Sequence, residues 1–358
     1  MREIDEPDED RGHFRVAAPW RRWRRERSRR KQDVAEPRTA RRRIAAWAIL
    51  IALVAGFIDL TLPVEDSFRA IRAGVRSHPA DQQVVVVAIE DRTLNALGAD
   101  EPSRSADAKL LDRLFAQGAE RVFFARAYAD LTEPRHDAAF AQALDRHGSR
   151  VFLGATPQFE QADGSSSSIV PHERFRSSAQ IVSMYGETAP FDLSFRLATS
   201  SFILGEDRPS FSAALAGMEG DGSFYRVDFA TDDTTIPVVS YIDALTGRIA
   251  DEAVRGKDVV IAPASRGARD LRSLPLGGRV PLAYFHVIGA ETLKRGNPID
   301  LGWIPAFLAI SGVVFCMSRQ AIPSNRLVLL SAAGLAVIPL VLDFVNVSVD
   351  VVPAAVCL

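Results

Sequence analysis

Three stretches of this chain carry no charge for long enough to decide its surroundings. Ile44 to Ile58 follows directly on Arg41-Arg42-Arg43, and the apolar character continues to about Val64 with Asp59 as an interruption. Leu301 to Ser318 lies between Asp300 and Arg319, and Leu327 to Leu342 continues past Asp343 to Val349. About twenty apolar residues, at about 1.5 Å each, cross a bilayer core of about 30 Å, and soluble helices rarely stay apolar around their whole circumference for so long. Residues 44–64, 301–318 and 327–349 are therefore expected to be transmembrane helices. The basic region before Ile44 is longer than a signal-peptide n-region, and no small-x-small site follows in Thr61-Leu62-Pro63-Val64, so the first span reads as an uncleaved anchor. The final run, 351–358, is too short to cross and reads as the start of a fourth span.

Orientation follows from the placement of Lys and Arg in short flanks. Residues 1–43 hold 15 Lys+Arg against 9 Asp+Glu, and the loop Arg319 to Arg326 has only basic charges, whereas the loop around Asn346 to Asp350 has no Lys or Arg. Tail and loop are expected in the cytoplasm, residues 65–300 outside, and an output segment in the cytoplasm beyond Leu358. The tail mixes Trp20 and Trp23 with a run of arginines, but a juxtamembrane basic cluster already fixes topology, so no nucleic-acid partner is expected and the tail reads as disordered. Asp59 and Asp343 lie toward the outer ends of their helices, where interfacial solvation is expected to accommodate them. A transporter is disfavoured because these carboxylates offer no central pathway.

The outer segment alternates between two patterns. After an amphipathic connector, Asp66 to Arg76, the run Val84-Val85-Val86-Val87-Ala88-Ile89 is of the kind buried on both faces of a sheet. Ala106 to Ala116 reads as a helix ended by Gly118, Arg121 to Tyr128 as a strand, Asp137 to His147 as a helix stopped by Gly148, and Arg150 to Ala155 as a third strand. Further on, strands are expected at Gln180 to Tyr185, Tyr225 to Ala230 and Lys257 to Pro263. Helices are expected near Ser210 to Ala216, at Val239 to Leu245 and at Ala283 to Lys294. Strands alternating with helices imply a parallel sheet with helical crossovers. The fold class is α/β, a parallel-sheet extracytoplasmic domain of residues 65–300 flanked by transmembrane α-helices.

Catalytic and metal signatures do not occur. The six histidines lack metal-ligand spacing, there is no H-E-x-x-H, C-x-x-C, G-x-S-x-G or G-x-G-x-x-G, and Gly256-Lys257 lacks the upstream glycine of a phosphate loop. No catalytic residue, metal or cofactor is therefore assigned, and this segment is not expected to be an enzyme. His286 reads as helix packing. Cys316 and Cys357 both sit in apolar runs, so the outer domain needs no disulfide.

Several segments together resemble one family. Val84 to Gly98, then Pro102-Ser103-Arg104, then Leu110 to Leu114 with Gly118-Ala119, are similar to the type 2 CHASE domain, a cyclase/histidine-kinase-associated sensory extracellular module. Arg255 to Ile261 resembles its last core strand, and His286 with Glu291-Thr292-Leu293 and Arg295-Gly296 its final helix. Three family positions differ: Phe124-Ala125 where Phe-Asp is usual, Asp100-Glu101-Pro102-Ser103 in place of a tryptophan-rich segment, and Ala262 to Ser265 in place of Gly-Ala-Thr. The resemblance implies a homodimeric receptor in the bacterial inner membrane. It would control a cytoplasmic diguanylate cyclase or phosphodiesterase, histidine kinase or adenylate cyclase. Its partners would be the lipid bilayer and a small-molecule or envelope ligand. The competing class is a membrane-anchored envelope interaction or structural protein without output.

In an open parallel sheet, ligands bind at the carboxyl ends of the strands. That rule selects Glu90 and Asp91 after the first strand, Arg126 in the second, Thr156 after the third, and Ser265 and Arg266 after the late strand, with Arg104 on a neighbouring loop. A plain Glu90–Arg104 ion pair is the competing expectation.

Overall fold

The computed structural model describes residues 39–157, 159–160, 166–189, 193–265, 271–273, 278–296, 298–320 and 325–358. The basic tail before Thr39 and Arg266 fall outside the described residues.

Six parallel strands form the centre: β1 (Val84–Ile89), β2 (Arg121–Phe124), β3 (Val151–Ala155), β4 (Gln180–Ser183), β5 (Val238–Ser240) and β6 (Asp258–Pro263), in the order β5-β1-β6-β2-β3-β4. Every residue of β1 is buried, and alternate side chains enter two different cores. Val85, Val87 and Ile89 face Leu110, Leu111, Leu114, Phe140 and Tyr241. Val84 and Val86 face Phe211, Leu215, Phe285 and Ile288. The first set lies on α4 (Arg104–Ala116), α5 (Pro134–His147) and α8 (Tyr241–Thr246), the second on α7 (Phe211–Leu215) and α9 (Leu282–Lys294). Each such side chain contributes about 1.5–3 kcal/mol on burial, and a strand without polar alternation is stable only in the middle of such a three-layer stack. Short helices α3 (Asp91–Leu97) and α6 (Glu173–Arg176) pack on the first side, with α4, α5 and α8.

Two elements differ from the sequence expectation. Val238–Ser240, where a helix was expected to be starting, pairs with β1 as the edge strand, and the helix begins only at Tyr241. Tyr225 belongs to a separate antiparallel sheet, with Phe224–Arg226 pairing Leu193–Ala198, which in turn pairs Gly186–Ala189. Gly148 does follow α5, but at φ −56° it is not a left-handed cap. A Cβ there would lie 1.4 Å from the Ser178 carbonyl oxygen, so close backbone approach requires the glycine.

Outside the domain, α1 (Thr39–Phe57) and α2 (Leu62–Val75) meet at a bend of 81°, and α10 (Ile304–Arg319), α11 (Asn325–Asp343) and α12 (Val352–Cys357) follow the domain. Among the described residues, α11 alone is a single helix long and apolar enough to cross a membrane; α1 with α2 passes only as a bent pair, and α10 is apolar but shorter. Ala52 of α1, Phe307 and Ile310 of α10, and Ala354 and Cys357 of α12 share a small buried cluster. After α11 the chain does not continue as helix: Val347–Ser348 pairs in parallel with Ile299–Asp300, just before α10.

Candidate sensory cleft and base network

The carboxyl ends of β2, β3 and β6 open into a cleft of about 550 Å³, in the range of small-molecule sites. Glu101, Arg126, Gly154, Thr156, Met184 and Leu282 are among its walls. Of the residues selected from sequence, Arg126 and Thr156 line it. Thr156 is also structural, since its hydroxyl accepts from the Ile169 amide at 2.9 Å.

The remaining candidates are dispersed around the same edge. Ala264 continues the ladder to Ile89, which brings Ser265 near the end of β1, but Ser265 is not in the cleft wall. Glu90 stands just before α3 without a side-chain capping bond and accepts from the Ser240 hydroxyl, while Asp91, in the first turn of α3, is exposed. Arg104 does not meet Glu90. Its guanidinium is buried against Asp137 at 2.6 Å, beside the rings of Phe175 and Tyr128, and there it ties α4 to α5.

Behind the cleft wall lies a closed polar group. Asp107 is fully buried and accepts from Tyr241 at 2.8 Å on one oxygen, and from Tyr128 at 3.0 Å and Arg126 at 2.8 Å on the other. Burial pushes the Asp107 carboxyl above its ordinary range, and the Arg126 guanidinium opposes that. The second Arg126 nitrogen reaches Glu101 at 3.0 Å, so the guanidinium bridges the cleft wall and the core. The sequence did contain a signal for this group. Asp107 stands at i, i+3, i+4, i+7 spacing with Leu110, Leu111 and Leu114, so it sits on the apolar stripe of α4, where a charge needs partners.

His286 is fully buried beside the Phe211 ring. Burial lowers its pKa to about 4, with the Met184 backbone opposing that shift. That agrees with a packing residue that stays neutral.

A second polar assembly joins the domain to the helices below it. Arg72 of α2 donates to Asp343, the last residue of α11, at 2.8 Å, with both side chains buried. Arg69 donates to Asp350 at 2.9 Å and lies 3.6 Å from Asp300. Arg76 grips Asp228 of the domain through two bonds of 2.9 and 3.0 Å. Arg226, on the antiparallel sheet, reaches Asp300 at 2.8 Å, Asp66 at 3.4 Å and Asp350 at 3.6 Å. Glu65 accepts from the amides of Val351 and Val352 at 2.7 and 2.8 Å and so caps α12. Asp343 is thus neutralised by guanidinium groups rather than by interfacial water. Carboxylates outnumber the guanidinium groups here, and burial raises the pKa values of Glu65 and Asp66, Asp350 adding to both. Amphipathic patterning marks 66–76 as a connector but not which neighbours its charged face meets, because Asp66, Arg69, Arg72 and Arg76 each have a partner more than 150 residues away.

The structure is thus a parallel α/β domain with a cleft at its strand ends, clamped by ion pairs to apolar helices before and after it. Residues 44–317 match the CHASE2 domain, and the chain belongs to that family of extracytoplasmic sensory domains of signalling receptors. No curated protein and no solved structure matches the chain.

Proposed function

We propose that this chain is the input portion of a bacterial inner-membrane receptor, with residues 65–300 in the periplasm and the basic tail in the cytoplasm. In this reading α1, α10 and α11 cross the bilayer. The 16 residues of α10 span about 24 Å, and Trp303 at its start, packed 5.3 Å from Phe57, serves as an interfacial anchor. A small molecule or envelope component occupies the cleft around Arg126 and Thr156, with Glu90, Asp91 and Ser265 on the same edge of the sheet. The receptor acts as a homodimer. Its output is a cytoplasmic diguanylate cyclase or phosphodiesterase, histidine kinase or adenylate cyclase C-terminal to these residues.

The observation that carries this reading is the base network. Arg226 of the domain pairs with Asp66 on α2 and Asp300 beside α10, and Arg76 at the end of α2 pairs with Asp228 of the domain and lies 4.0 Å from Asp343 of α11, so a shift of the domain is passed to those helices. An envelope interaction protein without output would use the same pairs as a fixed mount. Fusing residues 1–358 to a reporter diguanylate cyclase separates the two readings. Arg226→Met is expected to change basal output while the sensor domain keeps its fold by circular dichroism, and the exposed control Arg248→Met to leave it unchanged. If Arg226→Met and the parent give equal output, basal and stimulated, the coupling is wrong.

A further inference from the structure

The helix α2 is built inside out for a helix facing water. Its charged residues, Glu65, Asp66, Arg69 and Arg72, all turn toward the protein and are paired there. Its outer face carries Val64, Phe68, Ile71 and Val75, each between 47% and 65% exposed, with only Ser67 and Gly74 between them. A surface helix in water shows the opposite arrangement, and four large apolar side chains at i, i+4, i+7, i+11 form one continuous stripe.

What covers that stripe follows from where the helix is held. The chain enters it from the apolar helix α1 through a bend of 81°, so if α1 crosses the bilayer, α2 runs close to the membrane plane. The Arg72–Asp343 pair fixes α2 beside the end of α11, where the next two residues, Phe344 and Val345, are also bare, as is Leu60 on the approach to α2. We infer that α2 is an in-plane membrane helix whose Val64, Phe68, Ile71 and Val75 stripe is seated at the headgroup–acyl boundary of the lipid bilayer, with its charged face serving as the floor of the sensor domain. Because no charge lies on the outer face, the occupant is the apolar part of the lipid, and anionic headgroups are not needed. This inference rests on the reading that α1 and α11 cross the membrane.

The test uses the full chain carrying Cys316→Ser and Cys357→Ser, with one cysteine at a time introduced by Val64→Cys, Phe68→Cys, Ile71→Cys or Val75→Cys and spin-labelled in phosphatidylcholine bilayers. Exposed Val337 in α11 and exposed Leu131 in the domain provide reference positions. Labels on the stripe are expected to be accessible to oxygen and shielded from a water-soluble nickel chelate, at a depth of about 5–10 Å, unchanged when anionic phosphatidylglycerol is added. Nickel accessibility matching that at position 131 would overturn the inference. So would shielding from both reagents with spin–spin broadening, which would put a second copy on the stripe. A label at 337 that is itself open to nickel would instead overturn the spanning reading on which the inference rests.

Discussion

Replacing Arg126 by methionine keeps most of its length but removes the cation that faces Asp107. The carboxylate would then be fully buried with only the Tyr128 and Tyr241 hydroxyls to stabilise its charge. Such a group avoids the cost by staying protonated. The deficit relative to the parent is about 1.4 kcal/mol for each pH unit by which the already raised Asp107 carboxyl rises further in the variant. Breaking a buried pair from one side costs roughly 3–5 kcal/mol, a large share of a domain stability of about 5–15 kcal/mol. The sign follows from the raised folded value: stability is retained below about pH 4, where folded and unfolded carboxyls are both protonated, and is lost as pH rises toward neutrality. Chemical unfolding of the outer domain within the full chain in micelles, followed by tyrosine fluorescence from pH 4 to 8, should therefore show a deficit in Arg126→Met that grows with pH. Adding Asp107→Asn removes the charge while leaving the tyrosines a polar partner, and should recover all but about 1–2 kcal/mol at pH 7. A pH-independent deficit, or a double variant no more stable than Arg126→Met, would refute a charged, mutually neutralised Asp107–Arg126 pair.

Two further outcomes follow from the same cores. His286 titrates near 4 in the fold against 6.5 unfolded, so its contribution is present above pH 6.5 and is lost as pH falls, by about 3 kcal/mol at pH 4; His286→Phe should flatten the pH dependence of the unfolding midpoint between pH 6.5 and 4, and an unchanged slope would count against a neutral buried imidazole. Ala127 is exposed at the cleft wall, so Ala127→Trp should fill the opening and abolish the response of a reporter fusion to any stimulus the parent detects, with the thermal midpoint of the domain unchanged; a normal response would move the ligand site elsewhere.

How far the sequence could be read varied with how local the determining contacts are. β1 and β6 were legible because a run without polar alternation has few homes besides a strand covered on both faces, and both lie at the centre of the sheet. β5 was not legible, since three residues whose partner lies about 150 positions away carry no periodicity of their own. Position at the carboxyl edge selected Arg126 and Thr156, which line the cleft, but it could not tell that Arg104 turns inward to Asp137. The base network was hidden for a different reason. Arg69, Arg72 and Arg76 have the spacing of a solvated helix face, and only the folded chain reveals that this face is the buried one.

The claim on which the rest depends is that residues 65–300 form a sensor outside the cytoplasmic membrane. Its most direct test is labelling of intact cells with a membrane-impermeant maleimide, using the full chain with Cys316→Ser and Cys357→Ser and a single cysteine at Asp100, at Glu206 or in the loop at Gln320, all exposed positions. The account predicts that Asp100→Cys and Glu206→Cys react without permeabilisation and that Gln320→Cys reacts only after it. Labelling of position 320 from outside, with 100 and 206 protected until the membrane is opened, would contradict it.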